Sequence, residues 1–108
     1  MEFKMGAFLN EGHNRFFEFR ESDKLEYVSD YVVIAEDMTA AFEEFFAISN
    51  KQRPDADGIE WPFNVRSFSV GDVVIVRDNG VWVCDSMGWK PTDTQTVING
   101  MCFGRRKL

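Results

Sequence analysis

The stretch "SFSVGDVVIVRDNGVWVCDSMGW", residues 67 to 89, decides what kind of fold this chain makes. Val73 to Val76 is a β-branched run, Asp78-Asn79-Gly80 is a turn signal, and Val81 to Cys84 is apolar again. Asn-Gly tolerates the positive φ angles of a type I′ turn, so the spacing predicts a two-residue hairpin centred on Asn79 and Gly80. That register sets Asp78 opposite Val81 and Val76 opposite Val83, with the valines of both strands sharing faces by alternation. Val70-Gly71-Asp72 reads as the turn into the first strand, and "MGWKPTDT" reads as the end of the hairpin.

Upstream, "NKQRPDADGIEWPFN" is rich in proline, glycine and acids and predicts a loop over about 51–64, long for a small domain. Within it Trp61 and Phe63 flank Pro62; an aromatic pair in a polar loop either plugs the core or waits for a partner, and the plug is the favoured reading. Before the loop, Met38, Ala41, Phe42, Phe45 and Ile48 fall on one face at helical spacing, which predicts a helix over 39–50. Asp37 or Thr39 can cap its free amides, and Glu43 and Glu44 fall in its early turns. Phe46 is left at the edge of the apolar face.

"LEYVSDYVVIAE" alternates Leu25, Tyr27 and Ser29 and then runs apolar from Tyr31 to Ala35, the pattern of a strand buried on both faces and central in its sheet. Phe3, Met5, Ala7 and Leu9 alternate, so residues 2–9 form a further strand. The turn residues "NEGHN" and the segment Arg15 to Glu21 complete a hairpin, and "QTVINGMCFG" supplies a last short strand or helical turn. The expected fold is therefore α+β: one domain over 1–108, a small antiparallel sheet of about five strands, and one main helix packed on one face.

Composition narrows the function classes. The chain has 108 residues, 44% hydrophobic and 15% aromatic, too ordered a composition for disorder and too short for two cores. Residues 1–64 hold fourteen acids against six bases, whereas residues 65–108 hold four against six, for a net charge of −6. An acidic surface repels phosphate, so nucleic acid is not the expected partner. The basic end "GRRKL" reads as a solvated tail. No apolar run is long enough for a membrane span and the N-terminus lacks a secretory pattern, so a cytoplasmic location without membrane contact is expected. With two cysteines, Cys84 and Cys102, and one histidine, His13, no metal or other cofactor is expected.

The arrangement of helix, polar connector and hairpin resembles the YodL-like domain family through Ser67, Ser69, Val70, Gly71, Asp72, Val73, Val74, Asp85, Ser86, Gly88 and Trp89. The resemblance spans about residues 38–92; the β-rich section Phe3 to Glu36 and the long connector "RPDADGIEWPFN" depart from the family's pattern. It implies an accessory protein of bacteria, their phages or mobile elements, in a family without an established enzymatic activity.

No nucleotide or metalloprotease motif is present. Asp72, Asp85 and Cys84 could in principle supply acid–base or nucleophilic chemistry, but local hydrogen bonding of Asp72 and of the Asp85-Ser86 pair explains their placement without it. The expected function is a protein-interaction module with no catalysis, binding a host or element-encoded protein through Trp61, Phe63, Asp85, Ser86 and Trp89. The alternative is a DNA-mimic inhibitor using Glu36, Asp37, Glu43, Glu44, Asp55, Asp57 and Glu60. A homodimer through an exposed edge strand such as Phe3 to Leu9 is a further expectation.

Overall fold

The computed structural model describes residues 1–11 and 25–92. Five strands, β1 (Glu2–Asn10), β2 (Leu25–Ile34), β3 (Val73–Val76), β4 (Gly80–Asp85) and β5 (Gly88–Pro91), form one antiparallel sheet in the order β2-β1-β3-β4-β5. The single helix among them, α1 (Met38–Ser49), joins β2 to β3 across β1, so β2 and β3 run parallel on either side of β1. The α+β expectation holds. The hairpin strand at Arg15 to Glu21, His13, Cys102 and the segment 95–104 lie outside the described residues.

The helix begins where Asp37, extended at φ −154, turns its carboxylate back to accept the Ala40 amide at 2.9 Å. It ends in a Schellman pair: the Lys51 amide donates to the Ile48 carbonyl and the Gln52 amide to the Ala47 carbonyl. Lys51 takes the left-handed turn at φ 63, a position glycine usually fills. Glu43 and Glu44 lie beyond the first turn; Glu44 instead pairs with Arg53 at 2.7 Å.

The two faces of the sheet carry separate clusters. Phe3, Met5, Ala7 and Leu9 of β1 meet Tyr31, Val33, Val74, Val76, Cys84 and the apolar stripe of α1 on one side. Phe8, Leu25, Val73, Val81 and Val83 form the other. Full burial of each such side chain stabilises by about 1.5–3 kcal/mol, so the helix-side cluster is the larger source of stability.

Three expectations are corrected. First, the hairpin loop has three residues: Val76 pairs with Gly80, and the register runs Val74 with Trp82 and Val73 with Val83. Positive φ falls on Asp78 (64) and Gly80 (96), not on Asn79. The shift from the expected register is an odd number, so Val81 and Val83 lie on the face opposite Val74 and Val76. The gain is Trp82, which turns to the helix side and meets Phe42 edge-on at 5.6 Å.

Second, β1 is interior and β2 is an edge among the described residues, so Phe3 to Leu9 cannot serve as an exposed edge for a dimer. Ile34 is 67% exposed and Val32 half-buried, so the Tyr31–Ala35 run is fully covered on one face and only partly on the other. A bulge between Ala7 and Phe8 leaves Val28 unpaired and reverses the alternation of β2. Tyr27 consequently packs on Phe8 whereas Tyr31 enters the helix-side core. Third, Gly88–Pro91 is a strand, which places Trp89 opposite Cys84 on the helix side.

Candidate functional site

Trp61 and Phe63 point opposite ways. Trp61 is buried, stacked on Tyr31 at 5.5 Å and edge-on to Phe45, and its indole N–H donates to the carbonyls of Arg66 (3.0 Å) and Val65 (3.3 Å). It is therefore the plug expected from the sequence and is unavailable to a partner. Phe63 is 88% exposed, on a loop held from behind by Trp61 and from the side by Lys51, whose Nζ donates to the Phe63 carbonyl at 2.9 Å.

Trp89 is also spoken for. It stacks on Phe42 at 4.3 Å and touches Phe45, Phe46 and Phe68, so Trp61 and Trp89 share Phe45 within one aromatic cluster. Phe46, at the edge of the helical stripe, is held there by Phe68 and Trp89. Asp85 and Ser86 shape the β4–β5 turn, where the Asp85 carboxylate accepts the Ser86 amide at 2.7 Å. Ser86 is exposed, and beside it Met87 is 93% exposed.

Two features of the loop between α1 and β3 are not anticipated by sequence reasoning. Asp55, 8% exposed, accepts the amides of Val32 (2.8 Å), Asp57 (2.9 Å) and Ile59 (2.7 Å), pinning the loop to β2. Asp72, fully buried, accepts both terminal nitrogens of Arg66 (2.7 and 2.9 Å) and the amides of Asn10 (2.7 Å) and Ser69 (2.8 Å). Arg66 also donates to the Asn10 carbonyl at 3.1 Å, so the ion pair ties the end of β1 to the start of β3. The one sequence signal for it is Ser69-Val70-Gly71-Asp72, in which the serine amide bonds the acid three residues on while Gly71 turns the chain at φ 93.

Beside this pair a cleft of about 450 Å³ opens between Glu26, Tyr27 and Val28 of β2 and the loop residues Pro62, Asn64 and Val65, with Arg66 at its margin. Compared with family models, with curated proteins and with solved structures, the chain matches none.

That geometry bears on the groups considered for chemistry. Both Asp72 oxygens are committed to donors, and Cys84 is buried, its thiol pushed up to about 11 by burial first and by the Asp72 and Asp85 charges second. A thiol so held is protonated at neutral pH and a poor nucleophile. Among the described residues no group of three or more His, Cys, Asp or Glu side chains could hold a metal ion, and no helix is long and apolar enough to cross a membrane. Of the carboxylates considered for DNA mimicry, Asp55 is buried, Asp37 caps the helix and Glu44 pairs with Arg53.

Tyr31 is fully buried, its hydroxyl has no hydrogen-bond partner among the described residues, and it is pushed up to about 12, chiefly by burial and then by Asp55. An unfolded chain loses these protons first, from the thiol near 9.0 and the phenol near 10.0. Both folded values are raised, so their stabilisation is complete below pH 9 and is lost as pH rises toward 12. Urea melts across that range are expected to show a fall on the order of a few kcal/mol. Tyr31→Phe should remove the phenol's share of the fall and leave the thiol's, with neutral-pH stability unchanged or raised by about 1 kcal/mol.

Proposed function

We propose that this protein is a non-catalytic protein-interaction module, an accessory protein of phage or mobile-element type acting in a bacterial cytoplasm, with Phe63 at the centre of its binding surface. The observation that carries the reading is a large apolar side chain held out in water, 88% exposed, on a loop whose neighbours on both sides are pinned. A pinned loop loses little entropy on binding, and exposed aromatics on such supports are typical anchors. The YodL-like resemblance supports the same reading, because Ser69, Gly71 and Asp72 of its motif serve architecture rather than chemistry.

Phe63→Ser removes the anchor without disturbing a core residue. Affinity capture from a bacterial lysate, read by mass spectrometry, is expected to recover a specific protein with the wild type and roughly tenfold less with the variant, matching the loss of one anchor. Equal recovery by both proteins, at unchanged melting temperature, defeats the proposal.

A further inference from the structure

Among the described residues, the outer edge of β2 is closed at one end and open at the other. At Val32 both backbone groups face away from β1: the N–H donates to Asp55 at 2.8 Å, and the carbonyl accepts the Ala56 amide at 2.9 Å. Outward and inward groups alternate along an antiparallel strand, so Asp30, two residues earlier and paired with Gly6 in the same register as Val32 with Lys4, also turns its amide outward. No loop covers that position among the described residues. The Asp30 carbonyl receives only a long contact from its neighbour, the Ser29 hydroxyl, at 3.4 Å.

Charge decides what fits there. β2 and the loop sealing its far end, residues 54–60, carry Glu26, Asp30, Asp55, Asp57 and Glu60 and no lysine or arginine. Glu26, Asp30, Asp57 and Glu60 are exposed. A second copy of this chain is disfavoured, because antiparallel self-pairing of the open half sets Glu26 against Asp30, or Asp30 against itself, and like charges directly opposite destabilise a sheet. An extended segment carrying lysine or arginine meets the opposite charge on the edge. Beside the open half lies the 450 Å³ cleft, lined by Glu26 and Val28 and by Pro62 and Val65, with room for its alternate side chains.

We infer that the open half of β2, Glu26 to Asp30, takes an extended basic segment of a partner protein by strand addition, with Asp55 limiting the docking site by sealing the strand at Val32. Main-chain hydrogen bonds supply the affinity and the cleft and carboxylates the selectivity. The inference rests on the binding reading above and names the partner's chemistry.

The test uses a synthetic peptide alternating lysine with valine, a matched peptide with glutamate for lysine, and the ¹⁵N-labelled full chain. The lysine peptide is expected to shift the amides of residues 26–30 and to slow exchange of the Asp30 amide, with affinity falling roughly tenfold between low and high salt. The glutamate peptide should leave these amides unmoved. Asp30→Pro removes the outward N–H while sparing the pairing with β1, and should abolish binding without lowering the melting temperature. If that variant fails to fold, Glu26→Lys carries the same test, weakening the lysine peptide and narrowing its advantage over the glutamate peptide; an unchanged advantage overturns the inference.

Unmoved β2 amides, equal binding of the two peptides, or full binding by folded Asp30→Pro would each overturn the inference. So would a concentration-dependent dimer abolished by Asp30→Pro, which would make a second copy the occupant. Loss of capture in Phe63→Ser alongside unmoved β2 amides would leave the binding reading standing and remove only the strand-addition site.

Discussion

Replacing Arg66 with alanine is expected to destabilise the fold by about 3–5 kcal/mol, because it strands the fully buried Asp72 carboxylate without its cation. The pair's own net contribution is smaller than this, since burying both charges costs nearly what their attraction returns; breaking one side is what costs. In a chain of this size the loss corresponds to a fall of about 15–25 °C in melting temperature. Urea melts should show the midpoint moving with an unchanged slope. Asp72→Asn in the same background should recover part of the loss, since it removes the stranded buried charge and its one amide oxygen can still accept from either the Asn10 or the Ser69 amide. A melting temperature within a few degrees of wild type for Arg66→Ala would show that the pair is not what ties β1 to β3.

Trp61→Ala is expected to cost about 3–5 kcal/mol, the range for emptying a large aromatic site in a core. The indole fills the space between Tyr31 and Phe45 and satisfies the Val65 and Arg66 carbonyls, so alanine leaves both a cavity and unpaired acceptors. Trp61→Phe keeps most of the volume and loses the N–H, and should cost about 1–3 kcal/mol. Thermal and urea melts of the pair separate packing from hydrogen bonding. The loop that presents Phe63 hangs on this plug, so Trp61→Ala should also weaken partner capture indirectly, whereas Phe63→Ser should do so without a stability loss. Retained stability in Trp61→Ala would mean that the loop has another anchor.

Much of the scaffold was legible because it depends on local chemistry. The period of Met38, Ala41, Phe42, Phe45 and Ile48 specifies an amphipathic helix, and Asp37 marks its start wherever the helix packs. Alternation in residues 2–9 and β-branching around Val73 specify strands, and the Trp61-Pro62-Phe63 pair is correctly read as containing a plug. The hairpin register was not legible, since Asn79-Gly80 is a strong two-residue turn signal, whereas the longer loop is accompanied by packing of Trp82 on Phe42 and by its indole N–H donating to the Asn79 carbonyl at 2.9 Å. The half-burial of Trp89 was not legible for a related reason: its partners Phe42, Phe45, Phe46 and Phe68 lie elsewhere in the chain.

The order of strands belongs to the same class. Apolar runs report how much of a strand is covered, but the choice of neighbours for β1 is made by how α1 carries the chain from one of its sides to the other. The bulge at Val28 reverses the pattern within β2, so one periodic reading cannot hold on both sides of it. Local sequence therefore determined which segments are helix or strand and where the helix starts, because backbone preferences and side-chain period act over a few residues. Only the tertiary structure decided that Arg66 neutralises Asp72, that Asp55 seals one end of the β2 edge, and that Phe63 faces solvent while Trp61 is buried. The Asp55 seal and the burial of Trp61 on Tyr31 bring together groups distant in sequence, and the Arg66–Asp72 pair, though only six residues apart, is enclosed by Asn10 from the far end of β1; no local pattern encodes those meetings.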